Sequence, residues 1–191
     1  MTPLALGPVL ALLALLPNAA PEPVPLADAP AAWHPAVERA REAASEFQQR
    51  LQGRLAQALG AGGPAAAVAV CHDDAPRIAR EVGAERKVEI GRTSDRLRNP
   101  GNAPPAWARS AVERLAGRPA AEVGPLAVDL GDRVGVLLPI AVKSACLGCH
   151  GPAAGLSPKV KEALAAAYPA DRATGYAEGD ARGFTWVVTA R

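Results

Sequence analysis

Apolar residues recur at the spacing of an α-helix in the first third of the chain. Charged and amide side chains such as Glu38, Arg39 and Gln48 occupy the other faces. Pro35 suits the first turn of a helix, and the glycines around residue 62 suit its end. The pattern therefore predicts a helix from Pro35 to about Gly60, with the apolar face Val37, Ala40, Ala44, Phe47, Leu51, Leu55 and Ala58.

A second helix is predicted over residues 65–75, again from apolar residues at helical spacing. Pro76 has no N–H to donate to the carbonyl of His72, so the helix is expected to bend or end there. The apolar residues of this segment are Val68, Cys71, Ala75 and Ile78.

The second half of the chain mixes strand patterns with two short helices, over residues 107–116 and 158–167. Ser157 and Pro158 provide the cap and first turn of the later helix. An order of helices followed by mixed strands and helices predicts an α+β fold with an antiparallel sheet. The predicted strands are Val88–Thr93, Arg133–Val142 and Gly183–Ala190.

The chain begins with an uncharged apolar run, Leu4 to Leu16, followed by small residues up to Ala20. Such a run is typical of a secretory signal, and it is shorter than the roughly 20 residues that span a bilayer. We expect residues 1–20 to be a signal peptide, with an uncleaved anchor as the alternative, and the protein to be periplasmic or secreted. Residues 21–34 are rich in Pro and Ala and predict a flexible linker, and residues 35–191 predict a single domain.

Composition narrows the possible partners. The net charge of +2 and the absence of a Lys/Arg block argue against nucleic acid as a partner. No later segment has the pattern of a membrane span, so none is expected in the mature chain. Only 4% of residues are aromatic, which leaves apolar volume for a bound cofactor to fill.

The segment from Cys146 to His150 reads Cys-Leu-Gly-Cys-His. Two thiols at this spacing can each form a thioether with a haem vinyl group, and the following histidine can bind the iron from one face. We therefore expect one covalently attached haem c, held by Cys146 and Cys149, with His150 as a ligand of the iron.

Three other interpretations use the same residues. A thioredoxin-like dithiol has this spacing but normally lies in a βαβ unit. A zinc site could combine Cys71, Cys146 and Cys149 with a histidine, although adjacent Cys149 and His150 suit one small ion poorly. A disulfide between Cys146 and Cys149 would close a strained ring.

The second axial position of the iron has several candidates, because Met1 is the only methionine. Cys71, His72, His34 and an open site remain. Cys71 lies on the apolar stripe of its helix, whereas His72 is rotated by about 100° from it. Burial of the stripe favours Cys71, although a small buried hydrophobic residue would show the same pattern.

Several segments in order resemble bacterial periplasmic c-type haem domains with a PAS-like fold, which often serve as sensor regions. The resemblance covers the chain from about residue 35 to its end. The segments that carry it are Ala69–Cys71, Ala75–Ala79, Gly91–Ser94, Leu97–Pro100, Asn102–Pro104, Trp107, Cys146–His150, Ala173–Tyr176, Glu178–Asp180 and Arg182–Gly183.

The resemblance implies a five-stranded antiparallel PAS-like sheet flanked by helices, and iron bound by His150 and Cys71. Guanidinium groups suit haem propionates, so Arg92, Arg96 and Arg98 are candidates for pairing with them.

The expected function is a redox or diatomic-gas sensor that works by exchange of an axial ligand. A low-potential periplasmic electron carrier is the alternative, and an enzyme is not expected. Relatives often carry kinase segments, which this chain lacks. Signalling is therefore expected to need a separate redox or signalling partner, and a homodimer is possible.

Overall fold

The computed structural model describes residues 21–191, which fold around one antiparallel sheet in the order β1-β3-β4-β5-β2. The sheet and the long first helix confirm the α+β, PAS-like fold. Two strands, β1 and β3, were missed from the sequence because each has four residues or fewer. The strands are β1 (Val24–Pro25), β2 (Glu89–Thr93), β3 (Leu126–Asp129), β4 (Arg133–Ala141) and β5 (Ala181–Ala190).

The two central strands, β4 and β5, form the middle of the core. Val136 lies opposite Val187, and β-branched pairs of this kind pack well across strands. Helix α1 (His34–Ala69) covers one face of the sheet through a row of alanines, whose small side chains let the helix approach closely. The other face is covered by α3 (Arg109–Arg114) and α4 (Ala120–Val123).

The predicted end of the first helix is a kink. Gly63 has φ +69°, a conformation that favours glycine, and the helix resumes at Pro64. Beyond the kink α1 runs on to Ala69, so the second helix predicted from the sequence begins as the continuation of the first.

A wide helical turn, Val70–Asp74, explains why the helix does not end at Pro76 as the sequence predicts. The N–H of Ala75 donates to the carbonyl of Val70, five residues back, which is the π-helical pattern. The helix therefore continues past Pro76 as α2 (Ala75–Arg86) instead of ending there, and it packs against α1. The π turn also carries Cys71.

The segment predicted as a flexible linker, residues 21–34, is ordered, so that prediction is wrong. Val24 pairs with Ala127 at one edge of the sheet, and the side chain of Trp33 is buried in the main core. The apolar surface that these residues bury outweighs the Pro- and Ala-rich composition around them. The predicted signal peptide lies outside the described residues.

One helical stretch among the described residues, Ala31–Arg86, is long and apolar enough to cross a membrane by length and composition alone. The most apolar 18-residue window has a mean hydropathy of 1.2, and a core helix of a folded domain meets the same criterion.

Candidate functional site

The cysteine-rich motif follows β4 directly. Cys146 ends a short 3-10 turn, and α5 (Leu147–His150) carries the rest of the motif. The turn is anchored at its start, because the Ser144 hydroxyl donates to Glu178 Oε1 at 2.6 Å. The motif therefore begins from a fixed point at the end of the central strand.

The segment 171–176 runs beside the motif and holds its far end. Gly175 donates its N–H to the Gly151 carbonyl at 2.8 Å, and Tyr176 donates its N–H to the His150 carbonyl at 3.0 Å. The Tyr176 ring also meets the imidazole of His150 edge-on, with 6.2 Å between ring centres. These contacts fix both the backbone and the ring of His150.

The imidazole of His150 is oriented for ligation through Nε2. Nδ1 lies 2.8 Å from the Ala173 carbonyl, which can only accept, so Nδ1 carries the proton and the Nε2 lone pair is left available. Burial and the nearby Arg182 and Arg98 lower the pKa of His150 to about 3. The ring is therefore neutral at physiological pH, the form that binds a metal.

The two cysteines of the motif are half-buried and are not joined by a disulfide. Cys146 Sγ accepts from the Lys143 N–H at 3.4 Å, and Cys149 Sγ faces the Pro64 carbonyl at 3.9 Å. Burial raises the pKa of the Cys149 thiol above its ordinary value. The kink at the start of the resumed helix thus lies directly beside the motif.

The helical segment that leads into the Cys71 turn packs against the motif. Val68, one turn before Cys71, packs with α6 (Pro158–Ala167) and with Cys149. Burial raises the pKa of Tyr168, another member of this cluster, to about 12. The π turn that carries Cys71 thus follows a helix end that is packed against the motif.

The alternative ligands are placed less well. His72 has a side chain that is 48% exposed, and its Nδ1 contacts Asp73 Oδ1 at 2.6 Å. His34 is exposed at the start of α1, where its Nε2 contacts the Ala29 carbonyl at 3.1 Å. The His72 ring also meets the Tyr168 ring at 5.3 Å between ring centres. Cys71 is half-buried and less exposed than either histidine.

The structure argues against two of the competing sites. The sheet is antiparallel throughout, so the motif does not lie in the parallel βαβ unit of a thioredoxin-like dithiol. Within residues 21–191, no three His, Cys, Asp or Glu side chains converge as ligands for one metal ion. A four-ligand zinc site is thus not formed by the thiols.

Arg98 lies behind the motif, where it contacts protein groups. Its Nε donates to Asp171 Oδ2 at 3.1 Å, and its Nη2 donates to the carbonyls of Cys149 at 2.6 Å and Ala173 at 3.1 Å. The side chain is only 7% exposed. These bonds assign Arg98 to positioning the motif, a different role from the propionate contact expected from the sequence.

Arg92 and Arg96, the other two arginines predicted to pair with haem propionates, are less enclosed by protein groups than Arg98. Arg92, on β2, is half-buried and has no salt bridge within the described part of the chain; its guanidinium lies 5.9 Å from the centre of the Phe47 ring. Arg96 stacks on the Tyr176 ring at 3.6 Å and donates to the Thr174 carbonyl. Pairing with propionates stays a prediction for both.

Sequence reasoning missed the roles of Tyr168, Asp171 and Arg182. Arg182 approaches His150 most closely, with 3.3 Å between its Nε and His150 Nδ1. The only sign of Arg182 in the sequence was that Arg182–Gly183 is the last of the segments that resemble the haem-domain family.

The donor set fits a c-type haem. Cys149 lies on the helix that ends in His150 and Cys146 directly precedes that helix; both are free thiols, and His150 offers a neutral imidazole with Nε2 free. Arg92 has a guanidinium without a salt bridge among the described residues, which suits a propionate. Cys71, on the π turn, carries a third free thiol that suits a second ligand.

Comparison with known proteins agrees with this fold. Residues 28–189 match the family model described as Tll0287-like. A solved structure, described as the crystal structure of the cyanobacterial heme-protein Tll0287, has a TM-score of 0.59 and 23% sequence identity. The match covers 85% of this chain and 98% of that one. No curated protein matches the chain significantly. Since the family model spans most of the sequence, the chain belongs to the Tll0287-like family.

Proposed function

We propose that this chain is an exported protein that carries one haem c, attached through Cys146 and Cys149 and bound at the iron by His150. The observation that carries the proposal is the imidazole of His150, which is neutral and held through Nδ1 so that Nε2 is free beside two unpaired thiols. The similar cyanobacterial structure is described as a heme-protein, which supports the same assignment.

Cys71 is the second axial ligand in this proposal. It comes from a π-helical turn, a feature often found at functional sites. A bound thiolate stabilises ferric over ferrous iron, because axial-ligand identity is a main determinant of the reduction potential. With both axial positions filled, the oxidised protein binds neither oxygen nor substrate, so an enzyme is not proposed.

The proposed function is sensing of redox state or of a diatomic gas. Cys71 would bind the oxidised iron as a thiolate. When an external donor adds one electron to the iron, Cys71 would take a proton from solvent and leave as a thiol, and the position it vacates would be open to a gas molecule. Release of the thiol also frees the Val70–Asp74 turn between α1 and α2, so a chemical change is coupled to a change in backbone contacts. We propose that a separate partner protein, in the periplasm or outside the cell, receives the signal.

Carbon monoxide binding tests sensing against simple electron transfer. We expect no absorbance change when CO is added to the ferric protein, and a clear shift of the Soret band when it is added after dithionite reduction. A ferrous protein that stays six-coordinate and ignores CO would favour the low-potential electron carrier instead. Spectra recorded at several times after CO is added to the reduced protein distinguish slow release of the Cys71 thiol from no release.

A further inference from the structure

Arg182 is the residue on which the structure offers most beyond the proposed ligands. It lies at the start of β5, where Ile140 pairs with Gly183 and Ala141 pairs with Ala181. Arg182 is thus the extra residue of a β-bulge and has no partner on β4. Bulges commonly re-aim a side chain beside a functional site, and this one aims Arg182 at the proximal histidine.

The backbone next to Arg182 is built for this bulge. Gly183 has φ +145°, and a Cβ there would lie 2.2 Å from the Thr93 carbonyl, so only glycine fits. The guanidinium is held at two further points: Nη1 donates to the Arg96 carbonyl at 3.4 Å, and Cζ lies 5.4 Å from the centre of the Tyr176 ring.

The contact between Arg182 and His150 places a charge beside the ring. His150 Nδ1 donates its proton to the Ala173 carbonyl. Arg182 Nε lies 3.3 Å from the same nitrogen and therefore brings a positive charge next to the ring. Within residues 21–191 Arg182 forms no salt bridge, whereas neighbouring Arg98 is paired with Asp171. The positive charge at His150 is therefore not cancelled by a contacting carboxylate.

We infer that Arg182 is a positioning residue that acts through its charge beside the His150 imidazole and raises the reduction potential of the iron that His150 binds. The inference rests on the proposed function, although only on ligation by His150. Reduction adds one negative charge to the site, and a nearby cation in a partly buried position stabilises the more negative state. Where Cys71 also binds the iron as a thiolate, Arg182 acts on the potential in the opposite direction.

The reduction potential of the holoprotein tests the inference. Two neutral replacements, Arg182→Gln and Arg182→Met, are compared with Arg182→Lys, which keeps the charge. We expect either neutral variant to shift the one-electron equilibrium about tenfold toward ferric iron, a fall of about 59 mV, and Arg182→Lys to retain most of the wild-type potential. Arg133→Gln is the control for the loss of one positive charge, because Arg133 lies at the end of β4 farthest from the motif, in an exposed ion pair with Glu89.

Equal potentials in the wild type and both neutral variants would overturn the inference, as would an equal fall in Arg133→Gln. If Arg182→Lys lowered the reduction potential as much as the two neutral variants, the inference would also fail, because the positive charge would then have no effect. Failure of the proposed function gives a different result, since a wild-type protein without covalent haem yields no such potential to compare.

Discussion

Replacement of Arg98 by methionine is expected to lower the free energy of unfolding by about 3–5 kcal/mol, the usual cost of removing one partner of a buried ion pair. Arg98 and Asp171 have side chains only 7% and 11% exposed, so Asp171 would be left as a buried charge. The carbonyls of Cys149 and Ala173 would lose their donor as well. Denaturant unfolding of the holoprotein, followed by circular dichroism, measures the loss.

Arg133→Met is the matched control for this prediction. Arg133 also forms an ion pair, with Glu89 at 2.6 Å, but the two side chains are 47% and 63% exposed. Exposed pairs contribute about 1 kcal/mol or less, so the control should stay close to wild type. If the two variants lost the same small amount of stability, Arg98 would not hold the motif as described.

Replacement of Cys71 by alanine is expected to change the ferric spectrum completely. The wild-type protein should show a low-spin spectrum with thiolate character, and the variant should lose it, because no other thiol is available to the second axial position. The variant should also bind small ligands such as imidazole or cyanide in the ferric state, which the wild type excludes. Absorption and electron paramagnetic resonance spectra measure both effects.

His72→Ala is the control for Cys71→Ala, since both residues lie on the same π turn. His72 is exposed and contacts Asp73 and the Tyr168 ring; since it is not a ligand in the proposal, its loss should leave the ferric spectrum unchanged. A spectrum altered by His72→Ala and unaffected by Cys71→Ala would exchange the roles of the two residues and weaken the sensor proposal.

The ligand residues were accessible from the sequence because the chemistry is local. The thiols and imidazole between Cys146 and His150 lie on five consecutive residues, and their spacing alone indicates haem attachment. Helical periodicity placed Cys71 on an apolar stripe, and the family resemblance implied its role as a ligand, which stays a prediction; the real turn is π-helical and was not predicted. Pro76 was the signal of irregular geometry, and it was read as a helix end because the wide turn that accommodates it depends on packing against α1.

The supporting residues were not accessible, because their partners are distant in the chain. Arg98 and Asp171 are 73 positions apart, and periodicity cannot pair an arginine in one loop with an aspartate in another. Arg182 is directed at His150 by a bulge in the β4–β5 pairing. The alternation of apolar and polar residues along β5 does not show where the extra residue lies. Strand β1 has two residues and is stabilised by its neighbours, so composition gave the opposite prediction.

The intact mass of the purified protein, produced with a c-type haem maturation system and measured under denaturing conditions, tests the central claim most directly. We predict a chain that begins after Ala20 and keeps one haem, and a Cys146→Ala/Cys149→Ala double variant of the matching apo mass. Wild-type protein that releases all of its haem on denaturation, or that never carries any, would contradict covalent attachment at the motif.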